Sequence, residues 1–177
     1  YKVLIAGAGI GGLSAASCLM KAGHQVEIYE QAPVLSEIGA GIQISANAMH
    51  VLRDLGLEES IVQVGVSPGA YVFRLHDTGE VIQRFSLSEE HKRLHGAPYT
   101  QLHRADLHEL LASTACSLDP AILRLDHKVI AFQEGESGVT LRLENGRTAR
   151  GDLLIGADGL KSAVARQIVG DIPAQYT

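Results

Sequence analysis

Four glycines in six residues, Gly7-Ala8-Gly9-Ile10-Gly11-Gly12, lie between two apolar stretches and dictate how the first thirty residues fold. Before them, Lys2 to Ala6 is aliphatic and β-branched on both faces, which predicts a central parallel strand covered on each side. After them, Leu13 to Ala22 is rich in Ala, Leu and Met up to Gly23, which predicts a helix and its end. Gln25 to Glu30 then alternates as a second strand.

The spacing is G-x-G-x-x-G at a strand-to-helix turn, and each glycine has a physical role there. Gly7 allows the tight turn, Gly9 lets backbone approach a pyrophosphate, Gly11 belongs to the same loop, and Gly12 lets helix and strand pack closely. The helix N-terminus offers free N–H groups and a partial positive charge to phosphates. Glu30 closes the second strand eighteen positions after Gly12, where an acid accepts hydrogen bonds from a ribose diol and repels a 2′-phosphate. A glycine turn that merely lets strand and helix pack would not need that acid in register. The unit therefore reads as a cradle for an adenine dinucleotide, and it does not by itself separate FAD from NAD.

Further along, Ala46 to Leu55 carries apolar residues at 48, 51, 52 and 55, a helical stripe ended by Gly56, and Leu57 to Val64 continues as a short helix. From Ala70 the period changes to two. Tyr71 to Leu75 and Val81 to Phe85 flank Asp77-Thr78-Gly79 as an antiparallel hairpin. Residues 88–100 read as a polar loop or short helix, and 104–117 as an amphipathic helix. Lys128 to Glu134, Gly138 to Leu143 and Arg147 to Ala149 form a meander turning at Asn145-Gly146, which delivers the chain into a buried strand, Leu153 to Ala157. No repeat or low-complexity tract interrupts this α/β pattern.

A net charge of -5 without a clustered basic face argues against nucleic acid or an anionic membrane as partner. Apolar runs are strand-sized, far short of the roughly 20 residues a membrane span needs. Cys18 and Cys116 are distant and lack C-x-x-C spacing, so neither disulfide nor zinc site is expected, and a reducing cytosol fits. Cys18, in the first helix, is expected to be a buried, inert thiol. His91 and His95 stand four apart but have no third ligand nearby in sequence, so no metal is expected. His103 and His108 lack a nucleophile motif to complete a triad, and capping or surface positions account for them. Asp106 reads as a first-turn helix residue satisfying amides.

Three segments narrow the reading: Glu37-Ile38-Gly39-Ala40-Gly41-Ile42-Gln43, Leu102-His103-Arg104-Ala105-Asp106-Leu107, and Asp152 to Ser162, D-L-L-I-G-A-D-G-L-K-S. With the glycine motif, they resemble the FAD-dependent aromatic hydroxylases, the group A flavoprotein monooxygenases that include salicylate and 6-hydroxynicotinate hydroxylases. The resemblance spans essentially all 177 residues. It implies a Rossmann-like FAD-binding domain over 1–177 with a parallel sheet, an antiparallel crossover meander and an extra β-hairpin, 66–100 being the start of the substrate-facing layer.

The resemblance also implies roles. Glu30 would bind the adenosine ribose with Gln31 beside it, Arg104 would reach the FAD phosphates, and Val129 would contact the adenine by its backbone. Asp158 would serve both the FAD site and the passage of the nicotinamide donor. Gln43 matches a position close to the flavin ring, where some relatives carry histidine, and becomes the candidate for facing substrate. The implied activity uses NADH or NADPH to reduce FAD and oxygen to hydroxylate a small aromatic compound. Two departures stand out: Ala165 occupies the place where arginine usually follows S-x-V, with Arg166 one place late, and Ala46 precedes Asn47 where proline is common. Members of the family are about twice this long, so the expectation is an N-terminal portion that lacks the half gripping the flavin end. That leaves open a catalytically silent dinucleotide-binding fragment. An NAD-dependent dehydrogenase is a weaker alternative, because a plain nucleotide domain has no use for the hairpin, H-R-A-D-L or G-A-D-G.

Overall fold

A computed structural model describes residues 1–35 and 40–170. Along the chain run β1 (Lys2–Ala6), α1 (Ile10–Lys21), β2 (Gln25–Tyr29), β3 (Gly41–Ile44), α2 (Ala46–Asp54) and α3 (Glu58–Val64). Then come β4 (Ala70–Arg74), β5 (Val81–Ser86), α4 (Glu89–His95), β6 (Thr100–His103) and α5 (Arg104–Leu118). The last elements are β7 (Leu123–Arg124), β8 (Val129–Gly135), β9 (Gly138–Leu143), β10 (Thr148–Gly151), β11 (Leu153–Gly156) and α6 (Ala163–Val169). They fall into two compact units, Tyr1–Ser36 with Leu111–Thr177, and Glu37–Leu110.

The first unit is built on a parallel sheet in the order β11-β1-β2-β7. Its inner strand β1 is buried from Val3 to Ala6 because it has a strand on each side and packed side chains on each face. Leu4 and Ala6 point towards the meander β10-β9-β8, where Val139, Leu141 and Leu143 join Tyr29, Val129 and Val164 in one core. Val3 and Ile5 alternate onto the other face, as strand pleating requires. Each such aliphatic side chain contributes about 1.5–3 kcal/mol on burial. Gly151 lets the meander lie close against β1: a Cβ there would meet the Leu4 side chain at 2.7 Å.

Two expectations about this unit need correction. Leu153 to Ala157 is not a buried strand: among the described residues β11 lies at the sheet edge and pairs only with β1, and Leu153 is 52% exposed. Cys18 is half-buried rather than buried, and both cysteines are free. The first helix also begins at Ile10, inside the glycine motif, three residues before the apolar run. Its first turn is glycine-rich because that turn must approach the strand, so the apolar pattern starts late.

In the second unit, β3 pairs antiparallel with β6 and β4 with β5, forming the expected hairpin. Neither β3 nor β6 was legible as a strand: each has only four residues, close to glycine or proline in sequence. Segment 88–100 contains the short helix α4. His108 corrects the surface expectation, being 6% exposed, while His103 is exposed. No described helix is long and apolar enough to cross a membrane.

Candidate functional site

The glycine motif forms a turn whose four glycines do different work. Gly7 takes φ +98°, and a Cβ there would meet the Ala157 carbonyl oxygen at 2.3 Å, so both conformation and space exclude a side chain. A Cβ on Gly12 would meet the Gly7 carbonyl oxygen at 2.0 Å, which is the close helix-to-strand approach expected of it. Gly9 is the informative one. Its φ of -72° suits any residue and, among the described residues, nothing lies within 4 Å of its Cβ position, so packing there does not call for glycine. Gly11 is likewise open on that side.

Gly7 and Gly9 line a cleft of about 660 Å³ at the carboxyl end of β1 and β2, together with Glu30, Gln31, Val129 and Asp158. That volume lies within the range of small-molecule and cofactor clefts. Glu30 is held in place from both sides. Its Oε2 accepts the Ala8 N–H from the glycine turn at 2.7 Å, and its Oε1 accepts the Ala32 N–H at 2.9 Å. A carboxylate has about four acceptor positions, so each oxygen keeps a lone pair for a further donor such as a diol. The end of β2 is anchored by β7, with the Glu30 N–H donating to the Arg124 carbonyl at 3.0 Å and the Glu30 carbonyl accepting from His127 at 2.8 Å. Beside it, burial and the Glu27 carboxylate push the Tyr29 phenol well above its ordinary range, so it stays protonated and donates to Glu27 at 2.6 Å.

Asp158 enters the cleft from the turn after β11 and has a structural task as well. Its Oδ2 accepts the N–H groups of Ala163 at 2.7 Å and Val164 at 3.2 Å, and its Oδ1 accepts the Ser162 hydroxyl. It thus caps α6, aided by Ser162, whose Oγ accepts from the Ala165 N–H at 2.8 Å. The D-G-x-x-S spacing therefore has a packing explanation that sequence reading did not supply. Lys128, Lys161 and Arg166 also line the cleft, Lys128 being paired with Glu144 at 2.7 Å. These cations went unnoticed because they are scattered over the segment before β8, a turn and α6. They suit a phosphate-bearing ligand.

Arg104 and Gln43 belong to the second unit. Arg104 opens α5 with an exposed side chain, and its N–H donates to the Ala40 carbonyl at 2.9 Å. Glu37, Ile38 and Gly39 lie outside the described residues, so the first of the three resembling segments is described only from Ala40. Gln43, exposed on β3, meets two tyrosines: its Oε1 accepts the Tyr71 hydroxyl at 2.5 Å and the Tyr99 hydroxyl at 2.7 Å, and the two phenolic oxygens stand 2.6 Å apart. Nothing in the sequence marked Tyr71 or Tyr99, which lie 28 residues apart on a hairpin strand and in a G-A-P-Y turn. His91 and His95 lie with ring centroids 4.5 Å apart on α4, and no described cluster of three ligand-type side chains joins them.

A parallel βαβ unit, an open glycine turn and an acid bonded to that turn define a dinucleotide-binding domain, and the cofactor follows from relatedness. A family model described as FAD binding domain matches residues 1–176, and the chain belongs to that family. It is 38% identical over 172 residues to the 3-amino-4-hydroxybenzoate 2-monooxygenase of Streptomyces cremeus, covering 97% of this chain and 43% of that protein. It is also 38% identical over 171 residues to the 3-hydroxybenzoate 6-hydroxylase of Polaromonas naphthalenivorans, covering 96% and 42%. Among solved structures, Klebsiella pneumoniae HpxO complexed with FAD and uric acid superposes with a TM-score of 0.82 at 29% identity, over 98% of this chain and 43% of that one. The chain spans less than half the length of the relatives it matches.

Proposed function

We propose that residues 1–177 form the FAD-binding part of an aromatic-hydroxylase-type flavoprotein monooxygenase, one that draws electrons from NADH or NADPH and hydroxylates a small aromatic compound with oxygen. The observation that carries the reading is Gly9: a glycine in ordinary backbone conformation, with open space where its side chain would stand, at the mouth of a cleft that also holds Glu30 and Asp158. A ligand brought against the backbone accounts for it. The names of the relatives supply the reaction class.

In this reading Glu30 accepts the ribose hydroxyls with Gln31 alongside, and the N-terminal amides of α1 face the pyrophosphate across Gly9. Gly7, Gly11 and Gly12 shape the turn, Val129 meets the adenine by its backbone, and Arg104 adds a cation to the phosphates. Asp158 serves the FAD site and the passage of the nicotinamide donor, and Gln43 faces flavin and substrate. FAD supplies the electron transfer and oxygen chemistry, while the protein orients the ring and excludes water. Residues 66–100 begin the substrate-facing layer. A further stretch of polypeptide, of the length the relatives carry, covers the exposed apolar residues of the hairpin, among them Ile82 and Phe73. Two free, distant cysteines suit a reducing cytoplasm.

The test is titration of the purified chain with FAD and, separately, with NAD⁺, followed by flavin fluorescence and calorimetry. FAD is expected to bind with one site per chain and to resist displacement by NAD⁺. A chain that binds NAD⁺ tightly and ignores FAD overturns the reading. Residues 1–177 alone are expected to show no NADH oxidation stimulated by an aromatic acid, and robust hydroxylation by them would contradict the assignment of the substrate pocket to further polypeptide.

A further inference from the structure

β8 is the outer strand of the order β10-β9-β8, and one side chain takes both backbone groups of its residue Phe132. The Phe132 N–H donates to Gln167 Oε1 at 3.0 Å, and Gln167 Nε2 donates to the Phe132 carbonyl at 2.6 Å. The carboxamide thus supplies the pair of bonds that a further strand would supply to this edge. Chemistry fixes its orientation, because turning it over would set its NH2 group against the Phe132 N–H.

Each end of this double bond stands just beyond part of the cleft. Val129 and Ile130 precede Phe132 in β8, Ala163 and Arg166 precede Gln167 in α6, and all four line the cleft. The register of β8 against β9 slips between Val129 and Ala131, which leaves Ile130 as the extra residue of a bulge. A bulge interrupts the ladder, so the backbone of Val129 and Ile130 depends on how the strand is held after it. The first turn of α6 is secured by Asp158, which accepts the Ala163 and Val164 N–H groups, and by Val164 in the core. Its later residues Gln167, Ile168 and Val169 are exposed, and a helix of seven residues has little stability of its own. Bonding of Gln167 to Phe132 ties this exposed turn to the strand beyond the bulge, and so sets the spacing of the cleft residues on the two elements.

We infer that Gln167 is a positioning residue for the cleft: by bonding both backbone groups of Phe132 it holds α6 and β8 at the spacing that the adenosine diphosphate part of FAD requires. The inference rests on the proposed function for the identity of that ligand. Gln167 is not among the residues lining the cleft, so it acts through Val129, Ile130 and Arg166.

The experiment titrates the purified chain and two variants with ADP and with FAD by calorimetry, at about pH 7 and about pH 4, with thermal melts in parallel. Gln167→Ala removes both bonds and is expected to weaken both ligands about fivefold at either pH, the effect of about one net hydrogen bond, with Tm within about 3 °C of the parent. Gln167→Glu separates the two bonds. Its carboxylate accepts from the Phe132 N–H but repels the carbonyl, whereas its neutral carboxyl serves both as the carboxamide does. An exposed glutamate takes up its proton near pH ~4.3. The Glu variant is therefore expected to bind as weakly as the Ala variant at about pH 7 and to recover to within about twofold of the parent at about pH 4. Each affinity is read as a ratio to the parent at the same pH, so Glu30 and Asp158 in the cleft, and Arg166 and Glu134 on the two elements, enter both sides alike. Unchanged affinity in Gln167→Ala, a Gln167→Glu ratio that does not move with pH, or affinity that falls only together with a large drop in Tm each overturns the inference. A parent chain that binds ADP but not FAD refutes the proposed function while the variants still decide the role of Gln167, and one that binds neither refutes both.

Discussion

Gly12→Ala and Gly11→Ala, one residue apart in the same motif, are expected to act in opposite directions. A Cβ on Gly12 would stand 2.0 Å from the Gly7 carbonyl oxygen and 3.4 Å from the Ala157 Cβ, whereas ordinary Cβ contacts do not fall below 3.0 Å. The carbonyl and the new methyl must therefore separate by at least about 1 Å, from the difference between those distances. The obstructing atom is backbone, so the adjustment has to move α1 against β1 instead of a side-chain rotamer. Overpacking where side chains can yield costs about 1–3 kcal/mol, and a backbone collision belongs at the upper end, about 3 kcal/mol. For a chain of this size that lowers Tm by about 6–12 °C. Gly11 is exposed in the first turn of α1 with no atom within 4 Å of its Cβ position, and alanine there recovers the helix entropy that glycine loses, about 0.5 kcal/mol. Thermal melts of the FAD-free chain followed by far-ultraviolet circular dichroism measure both. A Gly12→Ala chain melting within about 2 °C of the parent would refute the assignment of Gly12 to helix-to-strand packing.

Gly9→Ala is expected to leave Tm within about 2 °C, because neither conformation nor space opposes it, while weakening FAD binding at least about tenfold by holding the pyrophosphate off the backbone; unchanged affinity in a fluorescence titration would remove the ligand explanation for this glycine. Glu27 sets an acid-side limit on stability. Burial raises its pKa, but the Tyr29 hydroxyl and the Lys2 ammonium lower it further, so the folded value lies below the ordinary 4.5. A depressed carboxylate stabilises at pH above its unfolded value and ceases to as pH falls through the folded one. Glu27→Gln is therefore expected to be less stable than the parent at about pH 7, with a difference that shrinks as pH falls below about 4.5 in urea denaturation, and a difference that grows on acidification would contradict this.

The hairpin, the meander and the βαβ unit were legible because each is made of neighbours in sequence whose side-chain period changes with the backbone. The strand at 153–156 was read with the wrong surroundings, since an apolar run says that residues can be buried, and only its place at the sheet edge leaves Leu153 half in solvent. The strands at 41–44 and 100–103 escaped notice because four residues carry too little period and each depends on the other for its hydrogen bonds.

By itself the sequence determined the glycine turn, the helix behind it and the acid at the end of β2, because the left-handed φ of Gly7, the close approach of Gly12 to the Gly7 carbonyl and the register of Glu30 are properties of thirty consecutive residues. Tertiary structure decided the rest. Parallel pairing of β11 with β1 carries Asp158, more than a hundred residues away, to the cleft where Glu30 already stands, and the meander packed on β1 brings Val129 to the same place. Antiparallel pairing of β3 with β6 places Gln43 within hydrogen-bonding reach of Tyr99. Hydrogen bonding between strands acts over any separation along the chain, and a linear pattern does not encode which strands will meet.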